Sequence, residues 1–513
     1  MKRQVNQLKA GVVISYINLF ASSIIPLLYT PIMLSLLGQA EYGLYSLSSS
    51  VISYLTLLTL GFGSTIVRYL SKYRAEGKRK EEEQIFGFFL VLYCGLAILV
   101  LLCAVFIANN VELIFQQGLS DAEIDKMQKL VLIMSVNTAL SFPISVFSSV
   151  ISSHEQFIFI KSLNLFSTAA LPVANLIALY MGFASVGMAF AGTVMNVILL
   201  PVEAGYCLRK INIRPRFVRF PKEFIRELFG FSVYIFIGTI VDMLFWSTDK
   251  VILGMLTSSA VVAVYNVGGT FNNMVMQLST SISSILIPRI NGMVIEKNSE
   301  EKLTELFIRV GRVQYLIVAL VIAGFTVYGQ SFIHLWVGEA YKDAYWIAVL
   351  TMFPLCVPLI QNTGLNIIIA ENKHKFRAIV YLAIAILNVI STYLVVPYLG
   401  AIGAALCSCI SYLLGQGIII NIYYYKVIKI DIPRFWVNIL RMSMIPVLMM
   451  VIGLLLNRVV AINSWGIFLA EVICFTMIYA FLMYKFSMNK YEKNIFRSPI
   501  KKLLQIISRT IKR

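Results

Sequence analysis

The sequence predicts an all-α polytopic membrane protein of about 14 transmembrane helices. Three observations carry that expectation. Of 513 residues, 59% are hydrophobic and only 13% charged, with a mean hydropathy of +0.81; no ordinary soluble domain has that composition. The apolar residues gather into runs of roughly 20 residues or more, the length that crosses a hydrocarbon core of about 30 Å. Lys and Arg collect in alternate loops, the pattern that topology imposes on membrane chains.

Taken in order, the runs are 11–37, 42–70, 85–108, 127–151, 158–181, 184–206, 228–256, 260–289, 306–330, 344–370, 376–397, 401–425, 436–456 and 464–486. The first follows MKRQVNQLKAG and imitates a signal peptide, but its apolar run continues to Leu37, far beyond the 7–15 residues of such a segment. It reads as an uncleaved span. Prolines interrupt several runs: Pro26 and Pro31 in the first, Pro143, Pro172 and Pro201 in the fourth to sixth, Pro354 and Pro358 in the tenth. Each frees a carbonyl that a neighbouring helix or water must satisfy, leaving either a static kink or a hinge.

The loops give the orientation. Lys72, Arg74, Lys78, Arg79 and Lys80 follow span two, and Arg209, Lys210, Arg214, Arg216, Arg219, Lys222 and Arg226 follow span six. Basic clusters also follow spans eight, ten, twelve and fourteen. The intervening loops are poor in cations: 109–126 sets Glu112, Asp121, Glu123 and Asp125 against one Lys. By the positive-inside rule both termini are cytoplasmic. The net charge of +18 therefore reflects topology and anionic membrane lipids rather than nucleic acid.

Several chemistries are absent from the pattern. There is no phosphate-binding G-x-x-x-x-G-K-[ST] loop, no zinc spacing among His154, His334 and His374, and no nucleophile elbow. The seven cysteines lie mostly in apolar runs and read as core residues, not a disulfide framework. No large outer loop is available for a polymerase or ligase site. A transporter without cofactor or metal is expected, not an enzyme.

The two halves echo each other at an offset of about 220 residues. LLGQAEYGLYSL (Leu36–Leu47) aligns with LTSSAVVAVYNV (Leu256–Val267), pairing Ala40 with Ala260 and Tyr45 with Tyr265. Arg68 falls near Arg289, His154–Phe157 near Lys373–Phe376, and Asn175 near Asn388, each Asn followed by a glycine pair. Six-span units entering from the same side are parallel repeats. The expected organisation is an N-terminal lobe at 1–215, a C-terminal lobe at 216–432, and two further spans with a basic tail at 433–513.

The seventh span carries the chemistry. FGFSVYIFIGTIVDMLFWSTDKVILGML is long enough, at about 42 Å, to cross a bilayer with tilt, yet it holds Asp242, Asp249 and Lys250. Each charge at mid-bilayer costs about 2.5–3.5 kcal/mol on insertion scales. Seven residues apart, Asp242 and Asp249 are expected on one helix face. Two readings stand: a structural ion network, or a polar path with a site for a coupling ion such as H⁺ or Na⁺. The repeat-aligned residues Ser22, Tyr29 and Thr30 are polar but uncharged. Tyr29, Asn18, Asn272, Asn273, Gln277, Gln361, Asn362 and Asn366 are candidates to meet a sugar.

The stretches LLGQAEYGLYSL, STDKVILGML and AENKHKF (Ala370–Phe376), with two six-span lobes and two appended spans, resemble the polysaccharide-flippase (O-antigen and capsule repeat-unit, Wzx-type) branch of the multidrug/oligosaccharidyl-lipid/polysaccharide exporter superfamily. The resemblance spans essentially the whole chain. It implies a bacterial inner-membrane protein that flips an undecaprenyl-pyrophosphate-linked oligosaccharide by alternating access, with polymerase and chain-length proteins as partners. A pyrophosphate needs cations in a low-dielectric cavity; Lys250, Arg68, Arg289 and Arg377 are available, with Tyr29 and Asn273 for the sugar and Asp242 and Asp249 for the ion. The alternatives are a multidrug-type cation antiporter, which Asp242 and Asp249 permit, and a lipid II flippase, for which the first span should carry several Arg and has no cation after Lys9.

The topology is open to test by cysteine labelling from the outer face in a cysteine-free background. Cysteines at Ser120, Ser331 and Asn463 should react, and those at Gly77, Asn212, Asn298 and Lys501 should not. Labelling at 212 without labelling at 120 would invert the orientation.

Overall fold

The computed structural model describes residues 2–218, 222–284, 290, 292–293, 300–371, 373–458 and 462–494. Among them every regular element is helical, as a chain that must satisfy its backbone in hydrocarbon requires. Among the described residues, eleven helices are long and apolar enough to cross a membrane. One, Lys375–Lys426, joins the eleventh and twelfth expected spans in 52 residues, bent at Gly400, whose φ of 53° lies in the left-handed region. The seventh span is two helices, Lys222–Trp246 and Thr248–Leu256, separated by a distortion at Ser247. The eighth begins as Ser259–Ser284, and residues 285–289 at its C-terminal end lie outside the described residues.

Numbered in chain order, the helices are α1 (Lys2–Leu37), α2 (Gln39–Ser53), α3 (Phe62–Ala75), α4 (Arg79–Asn109), α5 (Val111–Phe115), α6 (Asp121–Ser153), α7 (Phe157–Tyr180), α8 (Ala184–Gly205), α9 (Lys222–Trp246), α10 (Thr248–Leu256) and α11 (Ser259–Ser284). There follow α12 (Glu300–Val337), α13 (Ala344–Ile360), α14 (Asn362–Ala370), α15 (His374–Tyr412), α16 (Ile420–Lys426), α17 (Ile432–Leu456) and α18 (Trp465–Leu482). They form two compact units: Met1–Val267 with Tyr381–Ser408, and Gly268–Val380 with Cys409–Arg513.

In the first unit the motif LLGQAEYGLYSL is a packing device. Gly38, at φ 78°, separates α1 from α2. Glu41 binds Lys126 Nζ at 2.7 Å and accepts from the Ser185 hydroxyl at 2.5 Å, tying α2 to α6 and α8. Gly43 is needed for close approach: a Cβ there would fall 1.7 Å from the Ser259 carbonyl oxygen and 3.2 Å from Ala263 N. Asn266 donates to the Tyr42 hydroxyl at 2.5 Å. The two copies of the repeated motif thus lie against each other. Helix α6 opens with a capping box, in which Ser120 N and Oγ donate to Glu123 at 3.0 and 2.7 Å. The other Glu123 oxygen accepts from Ser259 at 2.5 Å.

The second unit is built round α12. Phe307 packs against Phe435 and Tyr424, with ring centroids 4.8 and 5.6 Å apart. At the basic end Arg312 grips Glu492 through two bonds of 2.6 and 3.1 Å and donates to the Ser487 carbonyl at 2.9 Å. Both side chains are buried, and together they anchor the segment after α18.

The repeat leaves a signature in each unit. Phe159 stacks on Tyr206 at 3.7 Å, and the Tyr206 hydroxyl donates to Gln156 at 3.1 Å. Phe376 stacks on Tyr423 at 4.5 Å, and the Tyr423 hydroxyl donates to the Lys373 carbonyl at 2.9 Å. The Phe and the Tyr recur at one offset, and the acceptor's position with them, although Gln156 gives way to Lys373.

Removing one partner of a buried ion pair leaves the other uncompensated, at a cost of about 3–5 kcal/mol. Arg312→Met should therefore lower the thermal midpoint of the purified protein sharply, and Arg312→Met with Glu492→Leu should recover most of the loss. A full-strength single variant would show that the pair does not anchor the tail.

Candidate functional site

The most deeply held carboxylate of the seventh span is Asp249. The distortion at Ser247, with φ −114° and ψ −31°, ends α9 and restarts the chain as α10, putting Asp249 in its first turn. There a negative charge is favoured by the helix dipole. Asp249 is 1% exposed and its oxygens are met by three hydroxyls. Tyr265 on α11 donates to Oδ2 at 2.5 Å, Ser408 on α15 to Oδ2 at 2.8 Å, and Thr392 on α15 to Oδ1 at 3.4 Å. Thr392 and Ser408 stand on opposite arms of the bend at Gly400. Asn388, also buried, donates to Ser408 Oγ at 3.3 Å.

A second polar ladder flanks this knot. Span two is itself interrupted, α2 passing into a tight 3₁₀ turn over Tyr54–Thr59, with Leu60 and Gly61 both left-handed at φ 51° and 70°. Across from it, Ser53 donates to Ser247 at 3.1 Å, Tyr54 and Thr248 share a hydrogen bond of 2.5 Å, and Thr65 and Ser232 one of 3.1 Å. Two discontinuous helices thus meet at their breaks, an arrangement that transporters use to assemble ion and substrate sites.

The family follows from a comparison. A family model described as "Polysaccharide biosynthesis protein" matches residues 8–294, more than half of the chain. The chain belongs to that family. A curated relative within reach of this polysaccharide biosynthesis protein is the "Uncharacterized membrane protein EpsK" of Bacillus subtilis (strain 168), 22% identical over 483 residues, 92% of this chain and 94% of that one. Among solved structures, "Lipid II flippase MurJ, inward closed conformation" superimposes with a TM-score of 0.73 at 16% identity, covering 95% of this chain and 99% of the other. An inward-facing "multidrug resistance MATE family transporter of the MOP superfamily" gives 0.62 at 14% identity, over 80% and 96%. At these identities the likeness shows the fold, and the fold is the one the sequence resemblance implied.

The other residues singled out from the sequence are dispersed. Asp242 is exposed while Asp249 is buried, so the shared face expected from their spacing does not give them shared surroundings; the distortion at Ser247 lies between them. Lys250 is half-buried beside Asp249 in sequence, Arg68 is exposed, and Arg377 is half-buried. Arg289 lies outside the described residues. Asn273 is exposed, whereas its neighbour Asn272 is buried and donates to Thr351 at 2.9 Å. Gln361 is used internally, donating to Asn421 at 2.7 Å. Tyr29, aligned with Asp249, has its hydroxyl buried next to Asn175 and near Tyr45. Those are the repeat counterparts of Asn388 and Tyr265, so the two halves place matching residues round an acid in one and a phenol in the other.

The hydroxyls that hold Asp249 escaped the sequence reading. Tyr265 was visible only as a repeat match, and Ser408 sits between Cys407 and Cys409 in a run that reads as core. Glu203 on α8 was also missed; 4% exposed, it accepts from Ser148 Oγ at 2.5 Å.

These contacts separate two substitutions. Asp249→Asn keeps an acceptor oxygen and should leave membrane abundance and the thermal midpoint near wild type. Asp249→Leu strands three hydroxyls, at about 1–3 kcal/mol for each left unsatisfied, and should melt markedly lower. Equal midpoints for the two would mean that the hydroxyls do not depend on the carboxylate.

Proposed function

We propose that the chain flips an undecaprenyl-pyrophosphate-linked oligosaccharide repeat unit across the bacterial cytoplasmic membrane, for surface polysaccharide synthesis. The family match over residues 8–294 carries this reading, and a fold shared with a lipid II flippase and a multidrug exporter supports it. In this reading the repeat divides the chain into lobes at 1–215 and 216–432, with 433–513 appended, and the lobes open to either side in turn. Lys250, Arg68, Arg289 and Arg377 supply cations for the pyrophosphate. Tyr29 and Asn273 supply uncharged hydrogen-bonding groups for sugar.

Asp249 is the coupling site. A carboxylate ringed by hydroxyls can exchange its charge for a bound proton or Na⁺, and its contacts reach both arms of α15. Asp242 adds a second acid on the same span. The coupling step changes the charge at Asp249, and the helices that donate to it respond.

The full-length fold match also favours a second reading, a lipid II flippase. The first span weighs against it, since it has no cation after Lys9.

Deletion of the gene should abolish a surface polysaccharide and leave its lipid-linked repeat unit on the cytoplasmic side. Lys250→Ala should insert normally yet weaken export about ten- to a hundredfold, the loss of one charge-assisted contact, with Lys250→Arg partly active. Accumulation of lipid II instead would favour the second reading, and raised sensitivity to cationic drugs with intact polysaccharide would point to an antiporter.

A further inference from the structure

A cavity of about 510 Å³ opens at the basic end of the first unit, away from the Asp249 knot, between the inner ends of α3, α6 and α8 and the start of α7. Its volume is in the range of small-ligand sites. Its floor is shaped by two departures from regular helix. Glu155 holds a left-handed φ of 57° between α6 and α7. The chain after α8 widens into a π-helical turn, Tyr206–Ile211, closed by Asn212 at φ 60°. Such turns recur at functional sites.

Four neutral acceptors round this cavity are already used among the described residues. Gln7 Oε1 accepts from Ile158 N at 3.2 Å, and Gln156 Oε1 from the Tyr206 hydroxyl at 3.1 Å. The Ser153 carbonyl accepts from Arg74, and the His154 carbonyl from Gln156 Nε2 at 3.4 Å. His154 is turned inward, with Nε2 3.3 Å from Glu82 and Nδ1 3.0 Å from the Val150 carbonyl. Burial, with Arg74 and Arg79 nearby, holds its pKa below the usual imidazole range. The lining also holds donors: the Lys210 ammonium, the rest of the Arg74 guanidinium, and the Gln7 amide. One anion also lines the site, Glu155, whose carboxylate lies 3.9 Å from Arg74. The formal charge of the lining stays positive.

From this donor-rich, acceptor-poor lining we propose that the cavity binds a phosphate-bearing group. Basic pockets among helices at the cytoplasmic side of membrane proteins hold lipid head groups by the same chemistry, and Arg with Lys suits phosphate oxygens better than a neutral ligand. The same group could come from a lipid head group in the inner leaflet or from a soluble diphosphate. This assignment does not depend on the flipping reaction or on Asp249.

The test uses the purified full-length protein in detergent. Thermal midpoints are measured against inorganic pyrophosphate, and separately against phosphatidylglycerol with phosphatidylcholine as the uncharged comparison. Ligand that binds the folded state raises the midpoint. Lys210 is exposed, so Lys210→Ala should fold normally; Arg74→Gln also removes the bond to Ser153. Stabilisation of wild type by pyrophosphate, weakened at least tenfold in Lys210→Ala and retained in Lys210→Arg, identifies a site open to soluble diphosphates. Stabilisation by phosphatidylglycerol alone, with the same dependence on Lys210, identifies a lipid head-group site. If neither ligand stabilises, or if Lys210→Ala and Arg74→Gln respond as wild type does, the proposal is wrong.

Discussion

A carboxylate at membrane depth cannot be left alone: burying it without partners costs several kcal/mol or more. Asp249 meets that constraint with three hydroxyls. Tyr265 brings α11 to it, and Thr392 and Ser408 bring the two arms of α15 from either side of Gly400. One side chain on a nine-residue helix therefore ties together three helices. Neutral donors hold a charged carboxylate well and a neutralised one less tightly, so a change of charge at Asp249 is felt along each of them.

The internal repeat shows what is specific to this site. Both halves stack a Phe on a Tyr at the basic end and bury an Asn near the position of Asp249 or its counterpart Tyr29. At the acid's position the first half has Tyr29. At this position, then, the two copies differ: a carboxylate in the second and a phenol in the first.

Much of the fold was legible because hydrocarbon imposes long apolar runs and alternate basic loops. The long apolar runs, the repeat and the presence of an acid within the seventh run could all be read from residue order. Other features depended on contacts between residues far apart in the chain. Nothing near Ser408 signals that it donates to a residue 159 positions away, and the distortion at Ser247 has no proline to announce it. Glu41 could be read as a loop charge, although it clamps α2 to α6 and α8. Gln361, read as a cavity residue, satisfies Asn421 inside the second unit. Polarity within a span marks a residue that needs a partner; only the packing says whether that partner is another helix or a ligand.

The most direct test of the account is flipping itself. Purified protein reconstituted into liposomes with a fluorescent polyprenyl-pyrophosphate saccharide would be followed by quenching from outside, with and without an imposed proton or Na⁺ gradient. The account predicts flipping that one of the gradients accelerates in wild type, and flipping by Asp249→Asn that neither gradient changes. Wild-type liposomes that flip no faster than empty ones, or an Asp249→Asn variant that still responds to the gradient as wild type does, would contradict it.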